Sequence, residues 1–263
     1  MSKKFRLTVT DFVVGSLMVL LCLFFAYRIK VGLNYNWAWD LIPQFIFRFD
    51  DKNGEWVAGL LMTGFYTTLR LSFWGIILAT VFGVLSGIAK TSNILFLRWL
   101  ATTYVETMRN LPPLVIIFIA YFFFGTVFNL DRNVAGIGAL ALFAGAYVAE
   151  IIRAGIQSIA KGQMEAARSL GMSMPQAMID VILPQAFKRI LPPLSGQFIS
   201  LIKDSSLVSV IAITDLTKSG REIITSTFAT FEIWLVVAAM YLIVTSILSQ
   251  FVFYLERRYR VSD

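Results

Sequence analysis

The sequence predicts an all-α protein that is integral to a membrane. Of its 263 residues, 57% are hydrophobic and 15% are charged, and the mean hydropathy is +0.73. The apolar residues come in long blocks rather than in the alternation of an amphipathic surface, and about 20 such residues are needed to cross the ~30 Å hydrocarbon layer. Together these observations indicate a multi-pass membrane protein, because a soluble domain would carry more charge.

Cysteine and histidine usage narrows the chemistry of the chain. Cys22 is the single cysteine and histidine is absent. Neither an intrachain disulfide nor a thiolate metal cluster can form, and the commonest general base is missing. We therefore expect no catalytic residue, metal site or bound cofactor. The net charge of +7 predicts basic cytoplasmic loops rather than nucleic-acid binding.

Residues 1–58 are predicted to form an N-terminal region with one span and an external loop. The apolar block at 11–29 is followed by a tyrosine and basic residues rather than by a small-residue cleavage site, so we expect a retained anchor helix. The loop at 31–56 is expected to contain an interfacial segment, since Trp and Tyr collect at membrane surfaces. Its aromatic and acidic residues include Tyr35, Trp37, Trp39, Asp50 and Asp51.

Residues 59–263 are predicted to form a core with five further spans. These are expected near 71–89, 94–128, 134–152, 191–213 and 231–254. Arg70 interrupts the apolar block that begins at Gly59, so the part before the crossing is expected to be an amphipathic entry. Pro112 and Pro113 remove backbone donors within the next span, which must bend or restart there.

The basic residues divide unevenly between the two sides of this topology. Of 23 Lys and Arg residues, twelve fall on the side of both termini, seven on the opposite side and four inside spans. The twelve are Lys3, Lys4, Arg6, Lys90, Arg98, Lys161, Arg168, Lys188, Arg189, Arg257, Arg258 and Arg260. The positive-inside rule therefore predicts cytoplasmic termini, an external loop at 31–56 and a cytoplasmic segment at 162–187.

The first half of the segment 162–187 has the pattern of a short helix. Met164, Ala167 and Leu170 mark one helical face, and Gly171 follows at the position of a left-handed C-cap. The small Ala166 and Ala167 would allow a close approach to another surface.

A second short helix is predicted directly after this glycine. Ser173 and Gln176 have the spacing of a capping box, with Pro175 in the first turn, where proline is tolerated. The apolar face of this helix is predicted to be Met178, Ile179 and Ile182, and Pro184 is expected to end it. On spacing alone, the segment is either a docking element or a loop that folds against its own spans.

The same segment resembles the EAA motif of ABC-importer permease subunits. The resemblance rests on Glu165-Ala166-Ala167, Gly171 and Ile182-Leu183-Pro184, and the flanking "AGIQSIAKGQMEAARSLGMS" and "YVETMRNLPPLV" are similar to the polar amino-acid branch. It extends over most of the chain from Gly64 onward and implies a type I ABC importer core of five helices, here with one extra N-terminal helix.

This resemblance implies a coupling helix, centred on Glu165–Gly171, that seats in a groove of an ATP-hydrolysing partner. It also implies a second permease subunit, an external solute-binding protein and a place in the bacterial inner membrane, with alternating access as the transport mechanism. The chain has no GxxxxGK[ST] pattern of its own. We therefore expect a transport subunit, with ATP hydrolysis on a separate chain.

Seven ionisable residues in or beside the spans are expected to face the bundle interior, a cavity or the headgroups, because each is costly in lipid. They are Arg70, Glu106, Arg109, Glu150, Arg153, Lys203 and Asp204. Glu106 with Arg109 and Glu150 with Arg153 have the spacing of structural ion pairs. The run from Lys203 to Ser206 predicts either a local unwinding that lines a cavity or mutual neutralisation of Lys203 and Asp204.

A transported amino acid needs a fixed cation and an acceptor within the membrane. The candidates for its path are Thr68, Glu106, Arg109, Asn110, Lys203, Asp204 and Ser205. Thr68 is first a packing residue, in a G-x-x-x-T spacing with Gly64. We hypothesise a weak site between the Arg109 and Lys203 segments that favours acidic or amide amino acids.

Two other classes of function compete with this interpretation. An ion-coupled secondary transporter of amino acids would use Glu106 or Glu150 as a proton relay and would need no ATPase. An intramembrane hydrolase would have to rely on carboxylates such as Glu106, Glu150 and Asp204, which lie on separate spans. The EAA-like segment argues against the secondary transporter, and the separation of these carboxylates argues against the hydrolase.

Overall fold

The computed structural model describes residues 9–32 and 35–259. Its contacts divide into one unit up to Trp39 and a second unit from Asp40 onward. The first contains α1 (Val9–Gly32), in agreement with the predicted anchor helix. Within this unit the rings of Trp37 and Tyr35 meet edge-on, with centroids 5.3 Å apart. Lys3, Lys4, Arg6 and Arg260, which contribute to the predicted orientation, lie outside the described residues.

The second unit begins with a short segment that the all-α prediction missed. After a 3₁₀ turn (Trp39–Leu41) and α2 (Ile42–Ile46), strands β1 (Phe47–Asp50) and β2 (Glu55–Ala58) form an antiparallel hairpin. The Asp50 carboxylate closes its turn by accepting hydrogen bonds from the Lys52 amide at 3.1 Å and the Asn53 side chain at 2.8 Å. Gly54 supplies the left-handed residue that this turn requires, with φ of 68°.

Helices make up the rest of the second unit. They are α3 (Leu60–Thr91), α4 (Leu95–Asn110), α5 (Pro113–Phe118), α6 (Arg132–Gln157), α7 (Lys161–Ser169), α8 (Met174–Gln176), α9 (Leu183–Asp204), α10 (Leu216–Thr227) and α11 (Thr230–Tyr259). π-helical stretches follow α5 (Ile119–Gly125) and α8 (Ala177–Ile182), and a 3₁₀ stretch follows α9 (Ser205–Ile211).

Three helices within the described residues are long and apolar enough to cross a membrane. They are α3, α6 and the Thr230–Tyr254 part of α11, and the bent pair α4–α5 raises the number to four if it counts as one span. The predicted span at 11–29 lies within α1, whose Val9–Phe25 part is apolar, and the predicted span at 191–213 overlaps α9 and the 3₁₀ stretch after it. The six-span topology and the boundary between residues 58 and 59 therefore stay predictions.

The predicted break in the third span is confirmed. Helix α4 ends at Asn110, and α5 restarts at Pro113 with its axis turned by 111°. Pro113 occupies the first turn of the new helix, where its missing N–H needs no partner. The π-helical stretch then continues the chain to Gly125.

The second span belongs to one continuous helix, α3, which runs from Leu60 to Thr91. The predicted entry before Leu71 is therefore part of this helix, and the start of the crossing near Leu71 stays a prediction. Arg70 is an exposed residue on the surface of α3, so a regular helix can carry it without a break. A charged side chain can project from the exposed face of a regular helix, because it leaves the backbone hydrogen bonds intact. A proline differs because it removes one of these bonds.

Helices α3 and α6 form the most closely packed pair of the unit. Gly75, Ala79, Gly83 and Gly87 recur every four residues on α3 and are buried. A Cβ built on Gly83 would overlap the Val148 side chain on α6. Small residues at this spacing let two helix backbones approach closely in a membrane, where packing rather than the hydrophobic effect holds helices together.

Proline does not end the helix that starts at Ser173, as the sequence had suggested. The chain stays helical from Met174 through Pro184 to Asp204, so the prediction of a short second helix was wrong. The π-helical stretch Ala177–Ile182 lies directly before Pro184 and widens the turn at the point where the proline lacks a donor.

Beyond Asp204 the α-helix gives way to the 3₁₀ stretch Ser205–Ile211, and the residue after it, Ala212, has φ of 61°. The regular α-helix thus ends within the Lys203–Ser206 run as expected, but the chain continues there as a tighter 3₁₀ helix and not as an unwound segment.

Candidate coupling site and translocation path

Helix α7 ends in the turn that its glycine predicts. Gly171 has φ of 86°, its N–H bonds the Arg168 carbonyl at 3.0 Å, and the Met172 N–H bonds the Ala167 carbonyl at 3.2 Å. These two bonds define a Schellman motif. The Arg168 guanidinium also donates to the Met172 carbonyl at 2.6 Å, which fixes the direction in which the chain leaves the helix.

The helix after this turn starts with the predicted capping box. The Ser173 hydroxyl accepts the Gln176 N–H at 3.4 Å, and the Gln176 side chain accepts the Ser173 N–H at 2.8 Å. Both ends of the connection are therefore held by local hydrogen bonds. The turn between α7 and α8 is a defined shape rather than a loose loop.

The inner face of this segment packs on its own spans. Ala167 and Ile182 are buried, and Met164 and Met178 pack against the same apolar cluster as Val148 of α6. Two side chains predicted for this face point elsewhere: Leu170 is 84% exposed and Ile179 is 61% exposed. Leu170 is the C-cap residue, where the chain already departs from the helical path. Ile179 lies beside the narrower stripe formed by Met178 and Ile182.

The outer face carries two of the three residues of the EAA-like triplet. Glu165 and Ala166 are exposed together with Gly171, whereas Ala167 is buried beneath them. The same stretch exposes the large apolar side chains Leu170, Met174, Ile179 and Phe187. Such a surface fits the predicted contact with another protein, and the docking role of this face stays a prediction.

Hydrogen bonds join α9 to the start of α7 and to the residues just before it. The Arg189 guanidinium on α9 donates to the Ser158 carbonyl, just before α7, at 2.6 Å. The Gln185 side chain on α9 donates to the Gln163 side chain on α7 at 3.2 Å. These bonds connect α9 with α7 and with the end of α6.

A network of charges ties together α3, α4 and α6. The Lys90 ammonium lies 3.0 Å from the Glu150 carboxylate and 3.6 Å from the Glu106 carboxylate. Glu150 also pairs with Arg153, which confirms that structural pair. Glu106 binds Lys90 rather than Arg109, so the other predicted pair was wrong. The sequence interpretation missed Lys90 because its partners lie 16 and 60 residues away.

The remaining polar residues beside the α4–α5 break are held by other contacts. Arg109 lies over the Tyr147 ring of α6, 5.5 Å from its centroid, an arrangement that favours a cation. The Asn110 side chain donates to the Glu106 carbonyl at 2.7 Å, one turn back on α4. Both residues are exposed within the described chain.

Lys203 lines a cavity of about 310 Å³ between α9, α10 and α11. Its wall consists of Lys203, Ser206, Thr217, Trp234, Val237, Ala238 and Tyr241. The Thr217 and Tyr241 hydroxyls lie 3.2 Å apart. The cavity thus offers one cation, several hydroxyls and an aromatic wall. Arg109 is not among the lining residues, and a site shared by the two segments stays a prediction.

Asp204 and Ser205 are positioned by their own helix. Asp204 accepts a hydrogen bond from Ser200 at 3.3 Å, and the buried Ser205 hydroxyl donates to the Ile202 carbonyl at 2.7 Å. Among the described residues the Lys203 ammonium and the Asp204 carboxylate are not within 4 Å of each other, so the two charges form no direct ion pair.

Thr68 is a packing residue in this structure. It is fully buried, and its hydroxyl accepts the Leu216 N–H at 3.1 Å. One turn earlier, a Cβ on Gly64 would overlap the Ser219 hydroxyl of α10. The spacing of Gly64 and Thr68 therefore serves the contact between α3 and α10.

The comparisons with known proteins agree on one family. Residues 79–261 match the profile described as "binding-protein-dependent transport system inner membrane component". The chain is 44% identical over 200 residues to the probable glutamine ABC transporter permease protein GlnM of Bacillus subtilis, a match that covers 76% of this chain and 93% of that protein. It is 40% identical over 215 residues to the glutamine transport system permease protein GlnP of Escherichia coli, covering 80% and 98%.

Solved structures give the same fold. A crystal structure of an amino acid ABC transporter with histidines superposes with a TM-score of 0.71 at 40% identity, covering 76% of this chain and 94% of that one. An inward-facing MetNI methionine ABC transporter gives 0.65 at 19% identity, covering 77% and 97%, and supports the fold alone. The chain belongs to the family of inner membrane components of binding-protein-dependent transport systems.

Proposed function

We propose that this chain is the membrane-spanning permease subunit of an ATP-driven importer of polar amino acids, with glutamine as the first candidate. The observation that carries the proposal is the turn after α7, which is exposed and held by local hydrogen bonds, while α7 itself is joined to the start of α9 by the Gln163–Gln185 hydrogen bond. Identity of 44% and 40% to two glutamine permeases supports the substrate class.

Energy enters through a separate ATP-binding subunit in this proposal. The outer face of α7, with Glu165, Ala166 and Gly171, seats in a groove of that subunit. ATP closes a pair of such subunits, the α7 turns of two permeases move together, and the cavity turns outward to receive solute from an external binding protein. The second permease is another copy of this chain or a homologous chain. The contact between Gln185 and Gln163 supports transmission from α7 to α9, and the contact between Arg189 and Ser158 links α9 to the end of α6.

The solute path in this proposal includes the cavity beside Lys203. The ammonium of Lys203 would attract an α-carboxylate, and the Thr217 and Tyr241 hydroxyls offer hydrogen bonds to an amide or acidic side chain. Asp204 and Ser205 follow directly in sequence, and Arg109 with Asn110 belongs to the neighbouring broken helix. A weak site suffices, because the external binding protein supplies affinity.

Stimulated ATP hydrolysis tests this function. The permease would be purified with its ATP-binding subunit in nanodiscs and mixed with its binding protein, loaded with glutamine, glutamate or arginine. We expect glutamine to raise the ATPase rate most. If no loaded binding protein changes that rate, the proposed function fails.

The solute path has its own control in the same assay. Lys203→Met should reduce amino-acid uptake about tenfold, as expected for loss of a charge-assisted hydrogen bond. Lys188→Met is the matched control, since it removes an exposed charge from the start of the same helix. Equal uptake by both variants and the parent would show that Lys203 is not part of the solute path.

Labelling of single cysteines tests the orientation. In a Cys22→Ser background, Asn53→Cys places a thiol at the exposed hairpin turn and Glu165→Cys places one on the outer face of α7. An impermeant maleimide should label the first in intact cells and the second only after permeabilisation. The opposite pattern would show that the chain is inverted.

A further inference from the structure

We propose that one face of the β1–β2 hairpin lies in the headgroup layer of the bilayer, at the end of α3 that begins with Leu60. The pairing register aligns Phe47 with Ala58 and Phe49 with Trp56. Because side chains alternate along a strand, these four occupy one face. The opposite face carries Arg48, Asp50, Glu55 and Val57. The hairpin is therefore apolar on one side and mostly charged on the other.

The apolar face is exposed in the second unit. Phe47 and Phe49 are each 50% exposed and Trp56 is 72% exposed, although the rings of Phe49 and Trp56 contact each other at 5.6 Å. A two-stranded hairpin is at best marginally stable in water. Three large aromatic side chains on one face therefore indicate a surface that is covered by something else.

The hairpin is held rigidly against the start of α3. The Gly59 N–H bonds the Ile46 carbonyl at 2.8 Å, and a Cβ on Gly59 would overlap the Phe45 carbonyl group. Only glycine permits this approach, so the chain cannot swing freely between β2 and the helix. Strand β2 ends at Ala58, two residues before Leu60. The position of the hairpin is thus fixed by that of α3.

The dimensions of α3 place the hairpin at a membrane surface. Its 32 residues span about 48 Å, whereas a bilayer with its headgroups is about 40–45 Å thick. The two aromatic rungs of the hairpin lie about 7 Å apart along the strands, which is close to the depth of one headgroup layer.

Aromatic side chains favour this layer over both water and hydrocarbon, and amphipathic segments lie in its plane with their apolar face inward. We therefore infer that the bilayer covers the aromatic face of the hairpin. The inference depends on neither the solute nor the orientation of the chain, since both surfaces of a bilayer receive an aromatic face in the same way.

Depth-dependent quenching tests the proposal on the full chain. In a Cys22→Ser background, Phe47→Cys, Phe49→Cys and Arg48→Cys would each carry a polarity-sensitive fluorophore, in phosphatidylcholine nanodiscs with or without a lipid bearing a nitroxide near its headgroup. Arg48 is the matched control, because it lies between the two phenylalanines on the opposite face. The labels at 47 and 49 should emit at shorter wavelength and be quenched about twofold more than the label at 48.

Two results would overturn the proposal. If all three labels report water, the hairpin stands clear of the bilayer. If the labels at 47 and 49 are shielded but the lipid nitroxide does not quench them, a protein surface covers this face. Phe47 keeps the test independent of the Phe49–Trp56 ring contact, which Phe49→Cys removes.

Discussion

Gly171→Val is expected to lower ATP-dependent uptake about tenfold while the membrane-spanning helices stay folded. The glycine has φ of 86°, and a built Cβ meets no atom within 4 Å, so the cost arises from the backbone alone. A β-branched residue in the left-handed region costs about 1–2 kcal/mol, which corresponds to roughly a tenfold shift in the population of the turn. The altered turn should also bind the ATP-binding subunit less well, as measured by its recovery during purification.

Gly171→Asn is the matched control for this prediction, because asparagine tolerates the left-handed conformation. It should retain most of the uptake and most of the ATP-binding subunit. Normal uptake and normal recovery of the partner in Gly171→Val would show that the shape of this turn does not determine docking.

Gly83→Val is expected to destabilise the folded chain. A Cβ at this position would overlap the Val148 side chain and approach the Gly145 carbonyl oxygen to 3.0 Å, so α3 and α6 would have to separate. Overpacking of this kind costs about 1–3 kcal/mol, and in a membrane there is little other force to hold the helices together. Fluorescence-detected size-exclusion chromatography after heating should show a lower melting temperature and a smaller monodisperse peak.

Gly138→Val is the control on the facing helix, since a Cβ there has nothing within 4 Å. It should melt close to the parent. If Gly83→Val and Gly138→Val melt alike, the close contact between α3 and α6 is not what stabilises this pair.

Helix breaks and helix caps that depend on residues close together in the sequence could be predicted. The proline pair at Pro112 and Pro113 removes donors from one turn, and the helix breaks there by 111°. Gly171 and Ser173 act through hydrogen bonds to residues at most four positions away, so their motifs could be read from spacing. The family could be recognised for the same reason, since the EAA-like motif is one short contiguous segment.

Three features of the structure could not be predicted from local sequence patterns: the ion pair of Lys90, the β-hairpin and the helical turn before Pro184. Lys90 was counted as a loop charge, yet it binds Glu150, which is 60 residues away on another helix. The hairpin was missed because each strand has only four residues, too few for a reliable alternation. Pro184 was taken as a helix end, and the π-helical turn that accommodates it has no signal in the sequence.

The carboxylates required by an ion-coupled transporter are engaged in this structure. Glu150 binds both Lys90 and Arg153, and Glu106 lies 3.6 Å from Lys90. In this structure the two carboxylates serve as ion-pair partners that join α3, α4 and α6. The energy source is therefore the point at which the ABC permease and the ion-coupled transporter differ most.

Uptake into proteoliposomes with the energy source controlled tests the central claim most directly. This chain would be reconstituted with its ATP-binding subunit and, if required, its homologous permease, with loaded binding protein on one side and ATP on the other. Uptake should need hydrolysable ATP and should continue when ion gradients are collapsed by ionophores. Uptake driven by a proton or sodium gradient without ATP would contradict the account.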